Sequence, residues 1–402
     1  MASTLKKRAH PEVIVYQDLV NFDASQDTPQ NTALLESIGR AFGASEKSLG
    51  ILAVEGVPEF ASKRQALLKE AYHLAHLSPT ALQACERPDA LFSVGWSHGR
   101  EFLNGKPDTA KGSFYANPWT NSLIEHLTQQ YPEKTDYWKQ EAAAKPECYA
   151  DNVWPEEDLP SLEKYFMELG QIMGNTGILV AAVCDAYCRK HNVELGLQQT
   201  LQRSRNSKGR LLHYFAKDAP APSDEKKQDA DDESDSFDSW CGWHNDHGSL
   251  TALAPGLFLD PQGNPVDNPD PDYAGLYIQA RNGEIHHVAL PSTACGFQIG
   301  ETSQIQSGGV LQATPHAVQP PRSSDEPSNE VTLGVTRESF AVFLEPDFDD
   351  PLAIPDGKSV QDCQAADTKL PPSVVPLAKR WKAGQTFGDF HFATVSQFTT
   401  ED

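Results

Sequence analysis

Three side chains in two short stretches of this sequence have the types and spacing of a metal centre. WCGWHNDHGSLTALAPG, starting at Trp240, carries His244 and Asp246 two residues apart. Side chains two apart on an extended chain point the same way, so an imidazole and a carboxylate would stand side by side at the start of a strand. Alone the pair is a weak signal, because Asn, Asp, His and Gly are also ordinary turn residues. GGVLQATPHAVQPP strengthens it: His316 lies 70 residues beyond Asp246, at the end of a β-type run. A further 21 residues on, VTRESFAVFLEP places Arg337 and Ser339 on one face of another strand. Two histidines and a carboxylate on one side of a metal leave the opposite positions open, which suits non-haem iron(II) and oxygen chemistry. A guanidinium fork with a hydroxyl two residues on is a receptor for a carboxylate. A zinc hydrolase could use the same three ligands but has no need of the arginine-x-serine strand.

The other histidines have blander expectations. His247 follows the paired residues at odd spacing and should point away from the metal. His286 and His287 sit on a hairpin, where surface or packing roles are expected. His73 and His76 share a helix face with no carboxylate partner and should serve packing, and His98 should hydrogen-bond within a loop. His213 is divided between lining a pocket and a structural role.

These residues must be positioned by two differently patterned halves. PEVIVYQDL and ILAVEGVP read as strands, and TALLESIGRAFGASEKSLG, EFASKRQALLKEAYHLAHLSP and LPSLEKYFMELGQIMGNTGILVAAVCDAYCRK as helices, the last long and supporting the core. GWSHGREFLNGKPDTAKGSFYANP reads as loop. Residues 221–239 hold eight acids against two lysines, a net of −6, and read as a flexible, solvated insertion. An acidic cation trap is the alternative. Beyond it come short β-type runs (SLTALA, AGLYIQA, EIHHVAL, CGFQIG, VLQATPHAV, TLGVTRESFAVFLEP) separated by Pro, Asn and Gly turns, the pattern of a sandwich or jelly roll. The Pro- and Asp-rich tail from Asp347 should pack over the outside. With no internal repeat and no linker, the expectation is one composite domain: an N-terminal mixed, largely helical region 1–205, a jelly roll 206–346, and a C-terminal segment 347–402.

Bulk composition narrows the partners. The formal net charge of −23 disfavours nucleic acid and anionic membranes. No secretory signal is evident, and no stretch is expected to approach the length of a membrane span. Seven cysteines without C-x-x-C pairs argue against both a disulfide framework and a structural zinc site, and for a reducing, cytoplasmic setting, with Cys184 and Cys188 as buried thiols.

With these residues in view, the sequence resembles the isopenicillin N synthase-like iron(II)/2-oxoglutarate-dependent oxygenases. HNDHGSLTALAPG resembles that family's His-x-Asp-x-Gly-x-Leu-Thr segment, GLYIQARNGEIHHVALP its following strand pair, FQIGETSQIQSGGVLQATPHAV its run into the distal histidine, and RESFAVFLEP its arginine-x-serine strand. RLLHYF resembles the segment whose tyrosine helps hold the co-substrate, and ILAVEGVPEF the helical N-terminal region. The resemblance implies an α+β, mainly β fold: a double-stranded β-helix (jelly roll) with a helical N-terminal region packed on it. It implies Fe(II) on His244, Asp246 and His316, 2-oxoglutarate held by Arg337, Ser339 and Tyr214, O2 as oxidant, and ascorbate as a candidate reductant. The reaction would oxidise a C–H bond of a small organic substrate with release of succinate and CO2. Asp246 is intact, which disfavours halogenating relatives that lose this carboxylate. Phe215 stands where the family has proline, and the acidic insertion lengthens the approach to the metal motif. Two alternatives stay open: an iron-dependent oxidase in which Arg337 and Ser339 hold the substrate's own carboxylate, and a non-catalytic metal-binding interaction module.

Overall fold

The computed structural model describes residues 7–100, 102–103, 106–216, 240–322 and 334–398. The acidic run at 221–239 lies outside them. Eight strands form the frame of the site: β1 (Lys208–Tyr214), β2 (Cys241–His244), β3 (Leu250–Leu259), β4 (Gly275–Gln279), β5 (Ile285–Val288), β6 (Cys295–Ile299), β7 (His316–Gln319) and β8 (Thr336–Leu344). The chain moves between two sheets. The larger contains the order β6-β3-β8-β1, and the smaller the order β5-β4-β7-β2. N-terminal strands extend both: Ile51–Glu55 and then Glu12–Val15 beyond β6, Lys111–Ala116 and Gly95–His98 beyond β1, and Lys7–Ala9 alongside β5. The fold is thus mixed α and β.

Helices cover the outer face of the large sheet. They are α1 (Pro29–Phe42), α2 (Phe60–Ala75) and α3 (Leu162–Lys190). Thr28 caps α1 by accepting from the Asn31 amide at 3.1 Å, with Pro29 at its first position and Gly43 after its last. Their buried stripes, including Ile38, Leu68 and Leu169, share one core with Phe297 of β6 and Phe340 of β8. A second cluster joins the inner faces of the two sheets, with Leu212 and Phe258 from the large sheet against Ile278 and Val318 from the small one. One face of the large sheet therefore holds the helices, and the other faces the site.

Three expectations are corrected. The stretch at 95–118 is not a loop: Lys111–Ala116 pairs with β1 along its whole length and with Gly95–His98 in turn. Glycines, lysines and a proline hide that pairing from a periodicity reading, and tertiary pairing decides it. The tail does more than cover the outside. Phe348, Leu352, Leu377, Trp381, Phe387 and Phe390 are buried in a second core, shared with Leu123, Leu127, Trp138 and Tyr149 of the N-terminal region and with Ile305. Finally, α3 is long and apolar enough by length and composition to cross a membrane, yet 56% of its apolar window is buried inside the protein. It is a core helix in this fold, and Cys184 and Cys188 on it are fully buried thiols.

Candidate active site

The strand register brings the predicted ligands together. β7 pairs with β2 so that His316 lies opposite His244, their rings 4.2 Å apart between centroids. Asp246 Oδ1 lies 3.9 Å from His244 Nε2 and 3.8 Å from His316 Nε2. One ligand atom from each of the three falls within 4.8 Å of the others. Two details differ from the expectation. β2 ends at His244, so Asp246 sits in the connection to β3 and not on the same strand, and His316 begins β7 instead of ending a run.

That connection is held by α4 (Glu301–Gln306). The Asp246 carbonyl accepts from the Glu301 amide at 2.9 Å, and the His247 carbonyl from the Thr302 hydroxyl at 2.7 Å. Gly300 allows the contact: a Cβ there would lie 2.0 Å from the Gly248 carbonyl oxygen. Asn245 donates to Glu301 at 3.1 Å, and Arg380 from the C-terminal segment donates to the same carboxylate at 2.5 Å. Both members of this ion pair are buried. Arg380→Ala is expected to destabilise the chain by about 3–5 kcal/mol, because it strands a buried carboxylate. Urea unfolding measures this, and Glu301→Gln in the same chain should recover part of the loss.

The imidazoles are prepared for ligation. His244 Nδ1–H donates to the Gly242 carbonyl at 2.8 Å, which fixes the ring and directs Nε2 to the side where Asp246 lies. Burial and the neighbouring His244 push His316 down to about 4, so it is neutral. Burial acts to raise Asp246, but the His316 and His244 imidazoles outweigh it and hold the carboxyl below its ordinary value. Burial also disfavours charge on Cys241 and His244, and their mutual contact, 3.8 Å from Sγ to Nδ1, overcomes it, lowering the thiol and raising the imidazole. Asp246 is buried, and the nearby Thr251 hydroxyl is the side-chain donor that helps hold its carboxylate charged. Two imidazoles and a buried carboxylate converging on one point fit a divalent metal, which would displace any proton on His244, and leave its other positions free.

The same face continues along the large sheet as a cavity of about 590 Å³, a size suited to small ligands. Arg337 pairs with Tyr214 and Ser339 with Leu212 across β8 and β1, and all four line it. The Arg337 guanidinium lies over the Tyr214 ring, 5.2 Å from its centroid. It is 7% exposed, and among the described residues its Nη1 has no partner. Sequence reasoning missed the residue beside it. Arg64 of α2 is 6% exposed and donates from Nε to the Pro255 carbonyl and from Nη2 to that of Gly256, each at 2.6 Å. Burial and the adjacent Arg337 pull Arg64 down to about 10. Arg64 thus fixes the irregularity between Ala254 and Leu257 of β3 where Arg337 packs. The signal was present, since Arg64 falls on the apolar face that buries Phe60, Leu67, Leu68 and Ala71.

Gly256 belongs to the same end: a Cβ there would meet Arg337 Nε at 2.6 Å and Nη2 at 2.9 Å. Gly256→Val should displace the guanidinium and raise KM for an acid bound there at least about tenfold, about 1.4 kcal/mol, with a smaller change in kcat. Steady-state kinetics with varied co-substrate measures it.

His213 does not line the cavity. It projects to the opposite face, where Nδ1 lies 3.0 Å from Glu338 Oε2 and both side chains are buried. His247 likewise lies outside the cavity, while His287 forms part of its wall, stacked on Tyr277 at 4.9 Å. His98 makes the expected local bond, Nε2 to the Thr109 carbonyl at 3.1 Å. His76 stacks on Tyr72 at 4.1 Å.

No family model and no curated protein matches the chain. Solved structures do. A protein assigned to the 2OG-Fe(II) oxygenase family from Caulobacter crescentus superimposes with a TM-score of 0.61 at 18% identity, over 96% of this chain and 98% of that one. A full-length Neurospora crassa protein in complex with alpha-KG gives 0.59 at 15%, over 96% and 95%. The rice dioxygenase for auxin oxidation gives 0.52 at 17%, over 96% and 95%. The chain therefore has the fold seen in 2OG-Fe(II) oxygenase structures, along nearly its whole length.

Proposed function

We propose that the protein is an iron(II)- and 2-oxoglutarate-dependent oxygenase that oxidises a C–H bond of a small organic substrate, releasing succinate and CO2. The observation that carries this is the shared cavity: one end holds two imidazoles and a buried carboxylate, the other a buried guanidinium whose Nη1 meets no partner among the described residues. We infer that the two four-strand orders are the halves of a double-stranded β-helix, 206–346, on which regions 1–205 and 347–402 pack as one composite domain. His244, Asp246 and His316 would hold Fe(II), with the Gly242 carbonyl fixing one tautomer and α4 fixing the carboxylate. Iron bound there supplies oxygen activation coupled to decarboxylation of 2-oxoglutarate. Arg337 and Ser339 would take the distal carboxylate of 2-oxoglutarate, and Tyr214 orients the guanidinium from beneath. Removing that charge from water next to Arg64 makes the end selective for an acid, since a neutral ligand leaves two buried cations uncompensated. The apolar wall from Leu253, Leu276 and Leu290 excludes water from the rest of the volume and contacts the substrate. O2 is the oxidant and ascorbate the candidate reductant.

Purified protein reconstituted with iron and ascorbate tests this directly. Oxygen-dependent conversion of 2-oxoglutarate to succinate is expected, at least at the slow rate of the uncoupled reaction. Iron-dependent oxygen consumption that ignores 2-oxoglutarate would instead indicate an oxidase whose substrate carboxylate occupies Arg337. Absence of both would overturn the proposal.

A further inference from the structure

A second cluster of metal-ligating side chains lies on the far side of the metal loop, outside the cavity. His247 comes from the connection between β2 and β3, Glu345 directly follows β8, and His391 lies on α5 (Phe387–Val395). One ligand atom from each lies within 4.8 Å of the others, the same closeness as in the first triad. His247 Nε2 is 2.9 Å from His391 Nδ1 and 3.7 Å from Glu345 Oε1. A tetrahedral ion with bonds of about 2.0–2.1 Å holds its ligand atoms about 3.3 Å apart, between those two separations.

Glu345 points to a missing partner. It is 4% exposed, and among the described residues its carboxylate receives no hydrogen bond and pairs with no lysine or arginine. The Lys208 charge acts on it electrostatically, but the Lys208 Nζ donates to the Ser93 carbonyl at 2.8 Å instead of to the carboxylate. A buried carboxylate without donors is costly, and an ion bonded to it and to two imidazoles removes that cost. The surroundings are aromatic: His391 packs on Phe348 at 5.4 Å and Phe387 at 5.8 Å between ring centroids, and His247 stacks on Phe387 at 6.1 Å. None of the three ligands lines the cavity that holds the first triad.

We propose that His247, Glu345 and His391 form a second, structural metal site that takes zinc, with one water completing the tetrahedron. Two imidazoles and a carboxylate suit a borderline ion with no geometric demand of its own. The ion pins the C-terminal helix α5 to the loop that carries Asp246, and so braces the first metal centre from behind.

The test removes the first triad, so it is independent of the oxygenase reading. Protein stripped with chelator, dialysed against a slight excess of zinc and then against metal-free buffer, is assayed by mass spectrometry of the metal. Wild type should retain two zincs per chain, the double variant His244→Ala/His316→Ala one, and the same variant with His391→Ala none. Zinc should also raise the thermal midpoint of the double variant, and Glu345→Gln, which keeps shape but removes the anionic ligand, should weaken that binding at least about tenfold. Circular dichroism confirms that each variant is folded. A folded double variant that retains no zinc, or one whose zinc survives His391→Ala, overturns the proposal and leaves the cluster as a hydrogen-bonded packing element.

Discussion

Replacing Arg337 by methionine should abolish productive use of 2-oxoglutarate while leaving the metal-free chain at least as stable as before. The two effects have one cause. The guanidinium is buried against the Tyr214 ring with Nη1 unpartnered, and Arg64 lies close enough for its charge to be felt. Without a carboxylate the pair is a repulsive, poorly solvated arrangement, and an apolar replacement of similar length relieves it. With a carboxylate bound, the same burial makes the contact strong. Deleting one partner of a buried, hydrogen-bonded charge pair costs about 2–5 kcal/mol, which corresponds to a rise in KM for 2-oxoglutarate of roughly 30- to 5,000-fold. Isothermal titration with 2-oxoglutarate and a thermal melt of the metal-free protein measure the two arms. A variant that loses stability and keeps its affinity would assign Arg337 to the core and not to the ligand.

Asp246→Ala should reduce turnover by at least about 10³-fold, the equivalent of several kcal/mol of lost metal-centred stabilisation. Among the described residues, Asp246 is the carboxylate that lies within reach of both His244 and His316. The two histidines alone offer no negative charge against a dication. Because Asp246 also holds its place through its backbone carbonyl, which still accepts from Glu301, the loop should keep its path in the variant. Iron content of the purified variant, measured beside its unfolding midpoint, separates loss of metal from loss of fold. A variant with full iron content and full turnover would remove Asp246 from the ligand set.

The parts of this site that sequence made visible are those written into local spacing. Arg337 and Ser339 are two residues apart, and the alternation of a strand converts that spacing into a shared face; His244 and Asp246 have the same spacing, but the connection after β2, not strand alternation, brings the carboxylate beside the imidazole. The same alternation settles His213: its neighbours Leu212 and Tyr214 face the cavity, so His213 faces Glu338 instead. What stayed hidden depends on contacts between distant segments. Arg64 is recognisable as a charge on an apolar helix face, but its acceptors at Pro255 and Gly256 lie 191 and 192 residues away. His391 meets His247 across 144 residues, on a tail whose aromatic spacing gave no hint that it enters the core. The strands at 95–118 were obscured because their polar sequence becomes extended only through pairing with β1.

The most direct measurement is an anaerobic titration of the stripped protein with Fe(II) in the presence of 2-oxoglutarate, followed by the visible charge-transfer absorption of the chelated metal. Saturation at one chelated iron per chain, with the band lost in His244→Ala, Asp246→Ala and His316→Ala alike, is the expected result. A wild-type protein that gives no band, or a band that survives removal of His316, would contradict the convergence of these three side chains on one iron.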